Sequence, residues 1–131
     1  MIGIDTNILV RYLTQDDASQ TRRVDELFEA ALKTGERFRV SDVVLSELVW
    51  ALRKIYRVPK AEVVRGLQRV MANEIFTFDD PDVVNAALAD YRDADGDFAD
   101  YLIGRRNAAA GCEHTVSFDK DLAAHPAFVV L

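Results

Sequence analysis

The chain is 131 residues long, half of them hydrophobic and 29% charged, with a formal net charge of −6. That composition fits one globular domain spanning residues 1–131 and excludes a disordered chain. A single cysteine, Cys112, excludes an intramolecular disulfide framework and a cysteine-cluster metal site. No apolar run approaches the ~20 residues of a membrane span. The N-terminus shows no basic segment followed by an apolar stretch, so secretion is not expected and the cytoplasm is the expected compartment. The acidic balance argues against a protein that wraps nucleic acid by bulk attraction. It leaves room for clustered carboxylates beside a local basic surface.

In chain order, Ile2-Gly3-Ile4 reads as a buried strand, Asp5-Thr6-Asn7 as a polar turn, and Ile8-Leu9-Val10 as the start of a helix. Val24, Leu27, Phe28, Ala31 and Leu32 recur at the helical period, and Gly35 follows as a stop. Phe38–Ser41 is a second strand. Asp42 then stands as the cap of a helix carrying Leu45, Leu48, Val49, Leu52 and Ile55. Pro59 opens another helix that runs through Met71. Ile75–Phe78 is a third strand, and Asp80-Pro81 starts a helix with Val84, Ala87, Leu88 and Tyr91. A further helix opens at Asp97 and runs to about Ala110. His114–Phe118 is a fourth strand, a short helical turn follows Asp119, and Phe128–Leu131 is a fifth. Strands alternating with helices predict an α/β fold in three α/β/α layers, with a mostly parallel central sheet of about five strands. Ligands of such folds bind beyond the carboxyl ends of the strands.

The acids follow that rule. Asp5 follows the first strand, Asp119 the fourth, and Glu47 lies about one turn into the helix after the second. Asp97 and Asp100 are three residues apart and share a face of one helical turn. Around Glu47, positions i−4, i−3, i+3 and i+4 are Val43, Val44, Trp50 and Ala51, so Glu47 is expected on a buried or groove-lining face. An ionised carboxylate there needs a partner, either an arginine or a metal ion. Asp5, Asp97 and Asp119 each read equally well as helix caps. Caps account neither for Glu47 nor for Asp97 and Asp100 together. Crowded carboxylates raise one another's pKa, and a divalent cation resolves the conflict. All-oxygen donors suit Mg²⁺ or Mn²⁺, and such an ion activates water and neutralises charge on a phosphate. The chemistry this implies is phosphodiester hydrolysis. Thr6, Asn7 and Ser117 are placed to orient the neighbouring acids, although turn chemistry explains them as well.

Basic residues lie at Arg22-Arg23, Arg37 to Arg39, Arg53 to Lys60, Arg65, Arg69 and Arg105-Arg106, whereas Asp79–Asp100 is opposed only by Arg92. Most read as solvated helix faces. Arg53, Lys54 and Arg57 are the best candidates for contacts with substrate phosphates because their helix also carries Glu47. Asp93-Ala94-Asp95-Gly96-Asp97 imitates a calcium loop but has Phe98 and Gly104 where that loop needs glycine and glutamate. His114 and His125 form no local metal motif. Cys112 is read as a packing residue. Phe28, Trp50 and Tyr56 are read as core or dimer packing.

The segments Asp5-Thr6-Asn7-Ile8-Leu9, Ser46-Glu47-Leu48, Asp97-Phe98-Ala99-Asp100-Tyr101-Leu102-Ile103 and Ser117-Phe118-Asp119 resemble the ordered motifs of PIN-domain ribonucleases. The chain is similar overall to VapC-type toxins of toxin–antitoxin pairs, from residue 2 to about residue 122. Each motif alone is weak; four in this order are specific. The resemblance implies an endoribonuclease dependent on Mg²⁺ or Mn²⁺. Asp5, Glu47 and Asp100 match the family's central acids, Asp119 its more variable fourth acid, and Asp97 an extra acid found in many members. These five are the expected metal ligands, and Asp5, Glu47, Asp100 and Asp119 the expected catalytic set. The resemblance also implies a homodimer and a cognate VapB-type antitoxin that blocks the site and alone contacts DNA. Two residues depart from the pattern. Ser117 stands where threonine is commoner. Gly104 stands where alanine is usual, a change expected to affect packing more than chemistry.

Two other readings compete. A catalytically inactive PIN-like module would act only by binding a partner protein, but retention of Asp5, Glu47, Asp100 and Asp119 argues against it. A phospho-acceptor domain needs paired acids after strand one and an acceptor aspartate after a middle strand, and Asp42 is the sole candidate for the latter.

Overall fold

The structure, a computed structural model, describes residues 1–131. The chain divides into two compact units, Met1–Asp79 and Asp80–Leu131.

In the first unit, β1 (Ile2–Gly3), β2 (Phe38–Arg39) and β3 (Phe76–Thr77) form a parallel sheet in the order β1-β2-β3. Ile2 pairs with Phe38, and Phe38 with Phe76. Between the strands run α1 (Thr6–Thr14), α2 (Ala18–Thr34), α3 (Asp42–Lys54) and α4 (Lys60–Ala72). These elements follow the apolar periodicity. The α3 helix buries Leu45, Leu48, Val49 and Leu52, and α4 buries Val63, Val64, Leu67 and Val70. The rings of Tyr12, Phe28, Phe38 and Phe76 pack on one another at centroid distances of 5.2–5.8 Å. Such pairs add to stability beyond their area burial. The cap of α3 is Ser41, not Asp42: its hydroxyl accepts the Val44 N–H at 3.3 Å, and Asp42 becomes the first helical residue.

In the second unit, α5 (Pro81–Asp93) packs against α6 (Phe98–Ala109). After them, β4 (Thr115–Ser117) pairs in parallel with β5 (Phe128–Val130) across a 3₁₀ turn at Lys120–Leu122. The core includes Val84, Ala87, Tyr91, Phe98, Tyr101, Leu102, Leu122 and Phe128. The α/β class and the parallel pairing therefore agree with expectation, while the five strands form ladders of three and two strands instead of one sheet. Strands of two or three residues make few ladder bonds each, so sheet continuity is weakly enforced.

Two close approaches in this unit need glycine. A β-carbon on Gly104 would lie 2.5 Å from Cζ of Phe128, whose ring rests on α6 there. A β-carbon on Gly96 would lie 2.6 Å from Leu122, and the Gly96 N–H donates to the Tyr101 hydroxyl at 2.9 Å. The departure at Gly104 is thus a packing adaptation. Gly96 is likewise buried against the core.

Asp90 accepts Nε and Nη2 of Arg105 at 2.7 and 2.8 Å, and Nε2 of His125 lies 3.0 Å from the same carboxylate. Burial pushes the Asp90 carboxyl up, but Arg105 and then His125 outweigh it and hold the group below its ordinary value. A carboxylate with a depressed folded-state pKa contributes stability above its unfolded value and loses that contribution as the pH falls through the folded one. Asp90→Asn should therefore cost about 1–3 kcal/mol at neutral pH. The difference from wild type should shrink below about pH 4. Urea unfolding at neutral and acid pH checks this, and a pH-independent difference would contradict it. Gly104→Ala should cost about 1–3 kcal/mol by overpacking against Phe128, read as a lowered Tm.

Candidate functional site

In the first unit, Asp5 follows β1 and occupies the cap position of α1, but its side chain caps nothing. Its carboxylate is therefore free for other work, and the capping explanation falls away. Thr6, expected to orient Asp5, instead donates its hydroxyl to Oε2 of Glu47 at 3.2 Å. Asp5, Thr6, Asn7, Glu47, Trp50 and Tyr56 line one groove.

The expectation that Glu47 is buried does not hold, whereas its groove-lining position does. The buried face of α3 is Leu45, Leu48, Val49 and Leu52, and the face with Val43, Glu47 and Trp50 is exposed. A carboxylate in solvent does not need a compensating arginine, and Glu47 has the Thr6 hydroxyl as its partner instead of a basic group. A neighbouring depression brings Asp5 and Asn7 together with Arg11 and Arg23. Sequence reading missed Arg11 and Tyr56. Arg11 donates to Asp16 at 3.0 Å, to Gln20 at 2.5 Å and to the Tyr56 hydroxyl at 2.9 Å. The available signal was that Arg11 lies one helical turn after Asn7.

In the second unit, Asp97 occupies the cap position of α6 and its side chain also caps nothing. Its carbonyl accepts the N–H groups of Asp100 and Tyr101. Asp100 is half-buried. Burial, then the charges of Asp97 and Asp119, push its carboxyl above the ordinary value against a weaker lowering by a hydrogen bond from the Asp97 backbone. Asp97 and Asp119 therefore act electrostatically on Asp100. Asp119 does serve as a cap: Oδ1 accepts the Asp121 N–H at 2.9 Å. The Ser117 hydroxyl accepts the Asp119 N–H at 3.0 Å and so fixes the backbone at that acid.

The basic candidates separate by what they already bind. Arg53 and Lys54 lie on the exposed end of α3, and Arg53 donates to the Val58 carbonyl at 2.9 Å. Arg57 lies beyond the helix, in the turn, with φ 53°. Arg105 is committed to Asp90, and Arg39 pairs with Asp79. His114 is exposed and His125 belongs to the Asp90 cluster. Cys112 is exposed, which corrects its reading as a packing residue.

No three histidine, cysteine, aspartate or glutamate side chains converge closely enough to enclose a metal ion. The donor chemistry nevertheless fits a hard cation: Asp5 and Glu47 in the first unit, and Asp97, Asp100 and Asp119 in the second, offer only carboxylate oxygen. Because Glu47 is exposed and bonded only to a hydroxyl, Glu47→Gln should change the stability of the metal-free protein by less than about 0.5 kcal/mol. A large drop in Tm would instead mark Glu47 as a structural group.

Comparison with known proteins adds an independent line. A VapC ribonuclease from Aquifex aeolicus (strain VF5) is 23% identical over 117 residues, covering 89% of this chain and 86% of that protein. The family model described as PIN domain matches residues 2–127 and runs through both units. On that match, the chain belongs to the PIN domain family.

Proposed function

We propose that this chain is a divalent-metal-dependent endoribonuclease that acts as the toxin of a toxin–antitoxin pair. The observation that carries the reading is Asp100, half-buried, whose carboxyl is pushed up by burial and then by the charges of the neighbouring acids Asp97 and Asp119. Such an arrangement costs stability unless a cation offsets it. Membership of the PIN family and the similarity to a VapC ribonuclease support the same reading.

The residues proposed to hold Mg²⁺ or Mn²⁺ are Asp5, Glu47, Asp97, Asp100 and Asp119. When bound, the ion supplies an activated water and neutralises charge developing on the scissile phosphate. Asp5, Glu47, Asp100 and Asp119 form the proposed catalytic set, and one of these carboxylates takes the proton from the attacking water. Thr6 orients Glu47 through its hydroxyl, Ser117 fixes the backbone at Asp119, and Asn7 offers the groove a polar amide. Arg53, Lys54 and Arg57 are proposed to meet RNA phosphates. A cognate VapB-type antitoxin, a homodimer, DNA contact only through the antitoxin, and a cytoplasmic location complete the proposal. No helix is long and apolar enough to cross a membrane.

The test is cleavage of total cellular RNA by the purified protein, free of antitoxin, with Mg²⁺, with Mn²⁺ and with chelator. Discrete metal-dependent fragments are expected. Asp5→Asn and Asp100→Asn should each reduce cleavage to the level of the chelated control while circular dichroism shows an intact fold. Full activity in either folded variant would overturn the assignment.

A further inference from the structure

Trp50 is the chain's one tryptophan, and it is 59% exposed. It shares a groove wall with the exposed Ile55 and with Tyr56, and an exposed apolar surface of several residues rimmed by polar groups marks a binding site. Trp50 lies three residues after Glu47 on α3 and lines the groove that also holds Asp5, Thr6 and Asn7. One turn further along the same helix stand Arg53 and Lys54, both exposed. The Arg53 guanidinium is anchored on the Val58 carbonyl, so its positive charge has a fixed place.

An aromatic face flanked by cations is the recurrent way of holding single-stranded nucleic acid. The ring stacks a base and the cations meet the phosphates. Cations beside the ring also explain why an apolar surface suits a polyanion here. An apolar protein partner laid over Trp50 would cover the groove and bury Glu47, which has no basic partner to compensate its desolvation. A flat nucleobase can cover the indole and leave that carboxylate facing the phosphate backbone.

We propose that Trp50 stacks on a nucleobase of the single-stranded RNA substrate beside the groove containing Asp5 and Glu47. The inference rests on the ribonuclease reading above. It makes Trp50 a substrate-positioning residue, coupling base contact to the placement of the phosphate that is cut. Stacking tolerates every base because each has a π-face. Sequence preference would then come from neighbouring contacts.

With one tryptophan, fluorescence excited at the red edge of the indole band, where the four tyrosines do not absorb, reports this side chain alone. The full-length protein is titrated in Ca²⁺, which replaces Mg²⁺ to suppress turnover. The probes are adenosine and uridine dodecamers and an abasic ribose-phosphate chain of the same length. Quenching by both base-bearing oligomers and little by the abasic chain is the expected result. Equal quenching by all three, or none by any, would overturn the proposal. So would emission that is already shielded from acrylamide and varies with protein concentration alone, since that would put a second copy on Trp50.

In cleavage assays, Trp50→Ala should raise KM about tenfold with kcat little changed, and Trp50→Phe should recover most of the loss. Unchanged KM in Trp50→Ala would also overturn it. The two readings fail separately. Base-dependent quenching without cleavage would sink the ribonuclease and keep the stacking site, whereas cleavage without quenching would do the reverse.

Discussion

Like charge is the constraint that the rest of the second unit answers. Burial, and then the charges of Asp97 and Asp119, disfavour ionisation of Asp100. These acids are held by apolar packing set between them in sequence. Phe98, Tyr101 and Leu102 alternate with the acids and are buried, so α6 is seated by its core side while its first turn carries negative charge. Leu122 and Phe128 close the same core, and Leu122 lies in the short turn that begins next to Asp119. Hydrophobic burial, at about 25 cal/mol per Å² of apolar surface, supplies what electrostatics withholds. The basic residues of this unit do structural duty elsewhere, as Arg105 does at Asp90.

The first unit solves a different problem. Its carboxylates, Asp5 and Glu47, are exposed and so pay little desolvation. What they need is direction. Glu47 receives it from a hydroxyl on another helix, and Asp5 from its place at the junction of β1 and α1. The surrounding surface mixes these acids with Trp50 and with the basic end of α3. It is thus chemically graded along one helix face: acid, then aromatic, then cation.

The order of elements was legible because period and stop signals coincide. Val24 to Leu32 followed by Gly35 gave α2, and the position of Asp97 gave the start of α6. The placement of the acids at strand and helix ends followed from that order alone. Of the two places open to Glu47, buried or groove-lining, periodicity could not choose, for a definite reason. The α3 helix is apolar on more than one face, and the local neighbours Val43 and Trp50 signalled burial as strongly as Leu45 and Leu48 did. Periodicity cannot choose between two apolar faces; packing against the rest of the unit does. The pairs that position side chains were invisible for another reason. Thr6 and Glu47 are 41 residues apart, and Asp90 and Arg105 are 15 apart. No local pattern encodes either contact. The shift from Asp42 to Ser41 as the cap of α3 is a one-residue boundary effect.

The contact of Phe128 with Gly104 bears on the order in which the molecule is made. A chain leaves the ribosome amino-terminus first, so α6 emerges with its flat glycine surface before the ring that covers it exists. Asp97 and Asp100 are synthesised early in this unit, Asp119 later, and the clamp formed by β5 last of all. Until β5 has emerged, the helix carrying Asp97 and Asp100 lacks part of its core. The newborn chain therefore completes the packing behind this acidic helix only after β5 has left the ribosome.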